Sequence, residues 1–370
     1  MRKENQVPIP FDKQRWERVK ADAAAWWRHD LNRPLIQARL YGADPGRPEP
    51  NLPKHEFQSF YDLNVPVETI VDRWDYDLSC TEFLGDAFPH VFPNFGPGVI
   101  AAFLGCYLEN GENTVWFHTL KNSDLKDLTL TVNTDDCWYQ RIAKLYEAAM
   151  NRWQGQVQIG MTDLGGNMDI LASLRDPQSL MLDLFDCPDH VTRLNKQAHD
   201  CWWQCFEAFN QLLQPTNRGY SSWAGILSDS PHYMLQCDFS FMLSPTMFSE
   251  FVRPELQQSA SRLSHAFYHL DGPGQLNHLE ALLEMDNIAG IQWIPGTGQP
   301  EIDQWPDVYR KIRQAGKLIQ IFDHQYTGDF EILDILTEQL GSAKGIVYMI
   351  DQNISQQQRI ETLLQKYRET

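Results

Sequence analysis

The run HAFYHLDGPG (265–274) carries a histidine and an aspartate one residue apart, His269 and Asp271. Residues i and i+2 of a strand point to the same side, so imidazole and carboxylate share a face. If that face is an interior, the pair suits metal ligation, or a base with its orienting carboxylate. A buried histidine hydrogen-bonded to a carboxylate for structure alone fits the same spacing. Asp163 precedes Gly165-Gly166, where the chain must turn tightly and let something approach its backbone. Asp238 follows the run MLQC, and the two carboxylates Asp163 and Asp238 are the groups that general acid and base work requires. Asn167, Trp223, Gln292, Trp293 and His324 lie near the ends of strand-like runs and are expected to contact a substrate. Polar loop starts also cap helices, which is the plain alternative for this set.

These groups need a frame that gathers them. From about residue 155 short apolar or β-branched runs alternate with longer helical stretches. The runs fall at 156–160, 219–227, 234–242, 265–270, 288–294, 317–322 and 345–350. Asp176-Pro177, Cys187-Pro188 and Ser244-Pro245 place proline where a helix begins. Strand–helix alternation of this kind predicts βαβ units and a parallel sheet. Five units in succession favour a single closed (β/α)8 TIM-type barrel, an α/β fold whose chemistry collects at the C-terminal strand ends. No G-x-G-x-x-G follows a strand, which counts against a dinucleotide fold. Earlier, helices are expected over 12–29 and 66–75, separated by a proline-punctuated stretch. Residues 1–65 therefore read as an irregular, partly helical extension packed on a barrel of 66–370.

The chain has 370 residues and a formal charge of −18, with 42% hydrophobic and 22% charged residues. That is the composition of a folded protein. The acidic surplus argues against nucleic acid or an anionic membrane surface as partner. No apolar stretch reaches the roughly 20 residues of a membrane span, and the N-terminus lacks a secretory h-region. The seven cysteines follow no C-x-x-C pattern and are expected to pack in the core of a cytoplasmic protein. Twelve tryptophans exceed what packing alone requires, and Trp223 and Trp293 are the ones nearest strand ends.

Three segments carry a resemblance. QIGMTDLGGNMDILASLRDPQSLMLDLFDCPDHVTRL, DFSFMLSPTMFSEFVRPELQQSASRL and AFYHLDGPG are similar to strand–turn–helix regions of the uroporphyrinogen decarboxylase superfamily. The likeness runs from about Thr69 to the C-terminus and implies a (β/α)8 barrel. The superfamily's decarboxylases grip tetrapyrrole acids with an R-Q-A-G-R-Y stretch; here RPLIQARLYGADPG offers Arg33 and Arg39 without it. Its corrinoid-linked methyltransferases hold zinc with an H-x-C pair and a later cysteine. His269 matches the first ligand, Asp271 replaces the thiolate, and the last strand offers Asp351 and Gln352. Oxygen in place of sulfur makes a harder site for a divalent metal such as zinc.

The resemblance implies methyl transfer involving a small methylated compound or a corrinoid carrier. His269, Asp271 and Asp351 would hold the metal, with a corrinoid as co-substrate and a corrinoid protein as partner. The alternatives are decarboxylation of a tetrapyrrole or smaller acid near Asp86 or Asp163, and a carbohydrate-directed enzyme or binding barrel using tryptophan faces and paired carboxylates.

Overall fold

The computed structural model describes residues 9–119 and 124–368. Strands β1 (Leu35–Tyr41), β2 (Thr81–Gly85), β3 (His90–Val91), β4 (Cys106–Asn110) and β5 (Val115–Thr119) occupy the first third. Then come β6 (Gln158–Ile159), β7 (His232–Gln236), β8 (His265–Asp271), β9 (Ile288–Ile294), β10 (Leu318–Phe322) and β11 (Ile346–Asn353). A 7-stranded sheet has the order β2-β1-β11-β10-β9-β8-β7, parallel throughout except for antiparallel β2. β3 and β6 form a parallel pair, and β4 and β5 a hairpin. Helices alternate with the strands, giving an α/β fold with a mixed sheet.

The proline-marked helix starts are found as expected, in helices Pro177–Asp186, Pro188–Leu213 and Pro245–Met247. The run 288–294 is a strand over its full length. The run 219–227 is not a strand: it carries only the isolated bridges Met161↔Ser222 and Tyr220↔Ser228. Gly225, at φ 73°, turns the chain there, and its N–H donates to the Ser222 carbonyl at 3.0 Å. The run 234–242 is strand only to Gln236 and then coils into the 3₁₀ turn Asp238–Met242. The division at residue 65 does not follow the sheet either. β1 lies between β2 and β11, pairing with β11 from Leu35↔Val347 to Tyr41↔Asn353, so the early chain supplies a sheet strand.

Both faces of the parallel strands are buried, as crossover helices require. On one face Met234, Phe267, Leu318, Val347 and Leu35 form an apolar layer together with Trp26 and Trp27 of helix Lys13–Trp27. Gly290 makes room in that layer, because a Cβ there would meet the Phe267 ring at 2.1 Å. The opposite face packs Tyr268, Leu270, Ile291 and Trp293 into the larger core. Trp293 has no exposed surface and meets Trp305 edge-on, with ring centroids 5.2 Å apart. It is a core residue and does not reach a substrate, since its neighbour Gln292 takes the other face of β9. Trp293→Ala is expected to cost about 3–5 kcal/mol in denaturant unfolding while Trp293→Phe keeps most of the stability. Equal stability of the two variants would contradict a core position.

Candidate active site

Lateral register builds the site. Gln236 of β7 pairs with His269 of β8, His269 with Gln292 of β9, and Gln292 with Gln320 of β10. Each residue is the partner of the next in a parallel ladder, so four polar side chains stand in one row on one face of the sheet. The row lies one residue pair beyond the apolar Met234–Phe267–Gly290–Leu318 row, toward the C-terminal strand ends. Three of the four, His269, Gln292 and Gln320, are hydrogen-bonded in series, while Gln236 turns to a neighbouring carboxylate. Gln236 Nε2 reaches Asp163 Oδ1 at 3.4 Å; His269 Nδ1 meets Gln292 Oε1; Gln292 Nε2 donates to Gln320 Oε1 at 2.7 Å. Gln320 Nε2 donates to the Ala224 carbonyl at 2.8 Å.

Next to this row, Asp238, His269 and Asp271 bring one ligand atom each within 4.8 Å of one another. His269 Nε2 lies 3.9 Å from Asp271 Oδ2. Asp238 is held by its backbone: its N–H and that of Phe239 donate to Asp169, at 3.0 and 2.7 Å. Asp169 sits in the first turn of helix Asn167–Arg175. Gly166 allows the approach, because a Cβ would meet the Gln236 carbonyl oxygen at 2.2 Å and Asp169 Oδ2 at 2.6 Å. The tight turn expected at Gly165-Gly166 therefore admits the end of β7. One imidazole nitrogen and two carboxylates fit a divalent metal of the kind bound by mixed nitrogen and oxygen donors, with coordination positions left for a substrate.

Like charges crowd this corner. Burial, then partial relief by the Gly165 N–H and by His269, leaves the Asp163 carboxyl raised to about 6. Asp169 rises to about 7 through burial and the charge of Asp238. Asp238 rises to about 7 through loss of solvation in the cleft and the charges of Asp271 and Asp163. A bound cation would relieve all three.

Beside the acidic corner lies a cavity of about 450 Å³, lined by Arg39, Tyr41, Arg73, Trp74, His90, Trp223 and Phe322 among others. Trp223 separates the two, its ring edge-on to His269 at 5.4 Å. The cavity's cations are already paired. Arg39 bonds Asp351, its register partner on β11, and Arg73 bonds Glu49 and Asp77. His90 is half-buried in the cavity wall, and loss of solvation together with Arg39 pushes it down to about 3, so it stays neutral.

The structure redistributes several expected roles. Asp351 is no partner of His269: Arg39 and the Tyr41 hydroxyl, at 3.0 Å, occupy its carboxylate, and Asp238 takes the third position. Gln292 is buried, with both ends of its amide engaged by His269 and Gln320, and does not face a ligand. Asn167 is turned behind the site, donating to the buried Glu255 next to His199. His324 is exposed at the rim, tilted against Phe322 at 5.2 Å. Asp86 lies at the other end of β1, where it accepts from Arg33 at 2.7 and 2.9 Å and from the Ile36 N–H. Gln236, Gln320 and Asp169 had no place in the sequence reading. The signal for the glutamines was a lone amide inside each of the apolar runs MLQC and LIQIF.

No family model matches the chain, and no curated protein matches it. Among solved structures, a methyltransferase from Methanosarcina mazei superposes with a TM-score of 0.58 at 12% identity, covering 91% of this chain and 93% of that one. At that identity the likeness is one of fold. No helix among the described residues is long and apolar enough to cross a membrane.

The raised Asp163 value sets a direction for stability against pH. Its folded value, about 6, lies above the ordinary carboxylate value of about 3.9, so its protonated form favours the fold. That contribution is complete below pH ~4 and is lost as pH rises through about 6. Asp163→Asn should therefore gain stability relative to the parent as pH rises from about 4 to about 6 in metal-free buffer, and keep that gain above it. A difference that stays constant over that range, measured by urea unfolding, would show Asp163 to be ordinarily ionised.

Proposed function

We propose that this chain is a metal-dependent methyltransferase of the uroporphyrinogen decarboxylase superfamily, acting on a small methylated compound or a corrinoid carrier. The reading rests first on one observation: Asp238, His269 and Asp271 converge at the C-terminal ends of parallel strands, beside a cavity with aromatic walls. The fold likeness to a protein named as a methyltransferase points the same way. We further infer that the sheet closes into a (β/α)8 barrel. The β3–β6 pair and the Met161↔Ser222 bridge would fill the gap between its two ends.

In this reading Asp238, His269 and Asp271 would hold the metal, and the chemistry it would supply is Lewis-acid activation of the methyl acceptor. The acceptor's lone pair forms the new bond to the methyl carbon as the carbon–donor bond breaks. The proton lost from the acceptor needs a base, and Asp163, titrating at about 6, is the buried carboxylate nearest in character to that task. Trp223 forms the wall against which the methyl donor would lie, and the cavity beyond it takes the donor's body. A corrinoid protein is the partner this chemistry implies. Decarboxylation of a small acid is the second reading, favoured by Arg39 in the cavity wall. It is the weaker one, because Arg39 and Arg73 are already neutralised by carboxylates and leave little free charge for a polyanion.

Cobalt(II) titration of the metal-free protein, read by visible absorbance, tests the site. His269→Gln and Asp271→Asn should each weaken binding by about tenfold to a hundredfold. Methylcobalamin supplied together with a small thiol as methyl acceptor should then lose its methyl group to that thiol, read in the corrinoid spectrum, only with the metal-loaded parent. A protein that binds no divalent ion and leaves methylcobalamin unchanged would overturn the proposal, and release of carbon dioxide from a small acid would favour the second reading.

A further inference from the structure

The structure assigns to Gln292 and Gln320 a positioning role: together they fix the protonation tautomer of His269, so that its Nε2 lone pair faces Asp238 and Asp271. The direction of the hydrogen-bond series decides this. The Ala224 carbonyl can only accept, so Gln320 must turn its amide NH₂ toward it, at 2.8 Å. That leaves Gln320 Oε1 facing Gln292, which must answer with its own NH₂, at 2.7 Å. Gln292 Oε1 then faces the imidazole Nδ1. An unprotonated Nδ1 would set two acceptors against each other, so Nδ1 carries the proton and Nε2 is left with its lone pair. Reversing Gln320 would oppose like atoms at both of its contacts, and reversing Gln292 would set its oxygen against Gln320 Oε1; both glutamines are too buried for water to repair the loss.

The geometry makes the device rigid. His269, Gln292 and Gln320 are register partners on adjacent strands, so no loop movement can separate them without breaking the sheet. Trp223, edge-on at 5.4 Å, limits rotation of the ring from the cavity side. The anchor is not on a strand: Ala224 belongs to the turn that follows Trp223 and lines the cavity. The chain of bonds thus ties the donor nitrogen of the acidic corner to the wall of the neighbouring cavity through two amides. Unrestrained neutral histidine prefers the opposite tautomer, with the proton on Nε2, which would present N–H where a lone pair is needed. The use of this lone pair as a metal donor rests on the proposed function; the tautomer itself does not.

The test is therefore made first on metal-free protein. Nitrogen-15 spectra of histidine-labelled protein at pH 9, with the His269 signals assigned by His269→Gln, report which ring nitrogen carries the proton. The parent is expected to show Nδ1–H. Gln292→Met should shift His269 toward Nε2–H, and so should Gln320→Met, although Gln320 does not touch the ring. Gln292→Glu, protonated on the oxygen that meets Gln320 Oε1, keeps an acceptor against Nδ1 and should retain Nδ1–H. Cobalt(II) affinity should fall about tenfold or more in both methionine variants and recover in Gln292→Glu. Nε2–H in the parent, or an unchanged tautomer in Gln320→Met, would overturn the assignment. Nδ1–H with the expected variant pattern but no metal binding would uphold the positioning role and count against the metal reading alone. If one methionine variant does not fold, the parent tautomer and the other variant still decide.

Discussion

Parallel pairing of β7, β8, β9 and β10 sets Gln236, His269, Gln292 and Gln320 side by side, and the site is organised around that row. A parallel ladder fixes which residues are neighbours, and a slip of one position would turn each polar side chain into the opposite core. Register is therefore enforced by the apolar layers on either side. Phe267, two residues before His269, sits over the space that Gly290 leaves open. From His269 to Gln320 the polar row has no comparable freedom to be wrong, because Gln292 is satisfied only by its two neighbours in the row.

The acidic corner carries an electrostatic cost. Asp163, Asp169 and Asp238 all hold their protons more tightly than ordinary carboxylates, through loss of solvation in the cleft and mutual repulsion, although Asp238 keeps an exposed face. A protein arranged only for stability would avoid such a grouping, which is why strongly shifted carboxylates in a cleft are functional candidates. The opposite wall of the mouth handles charge differently. Arg39 and Arg73 are matched to carboxylates, so that wall offers aromatic surface and fixed dipoles more than net charge. Trp223 stands between the two regimes.

Stability and chemistry occupy different ends of the same strands. Trp26 and Trp27 close one end of the interior layer, with Trp27 donating to the Leu227 carbonyl at 2.8 Å. Asp86 and Arg33 secure the start of β1 at that end too. The C-terminal ends carry turns in place of continued strand: 223–225 after a short bridge, Asp238–Met242 after β7. Those turns supply Ala224 and Asp238, and each is held by a hydrogen bond to a side chain or carbonyl from another element.

Much of the frame could be read in one dimension, because its causes are local. Alternating runs, helix-start prolines and the i, i+2 spacing of His269 and Asp271 act over a few residues, and they reappear in the fold except at 219–227, where the chain turns, and beyond Gln236. Spacing places Trp293 at a strand end but cannot say which side of the sheet holds the cavity, because adjacent strand residues face opposite sides, and the fold turns it into the core. Asp351 was misassigned because its partner, Arg39, lies more than three hundred residues away and meets it only through the β1–β11 register. Gln320 and Asp169 were missed for the same reason, since their partners belong to other strands and turns. The sequence by itself determined the strand–helix order and placed His269 beside Asp271. Only the tertiary structure decided that Asp238 joins them and that two glutamines orient the imidazole, because hydrogen bonds between neighbouring strands are fixed by register, which no local spacing contains.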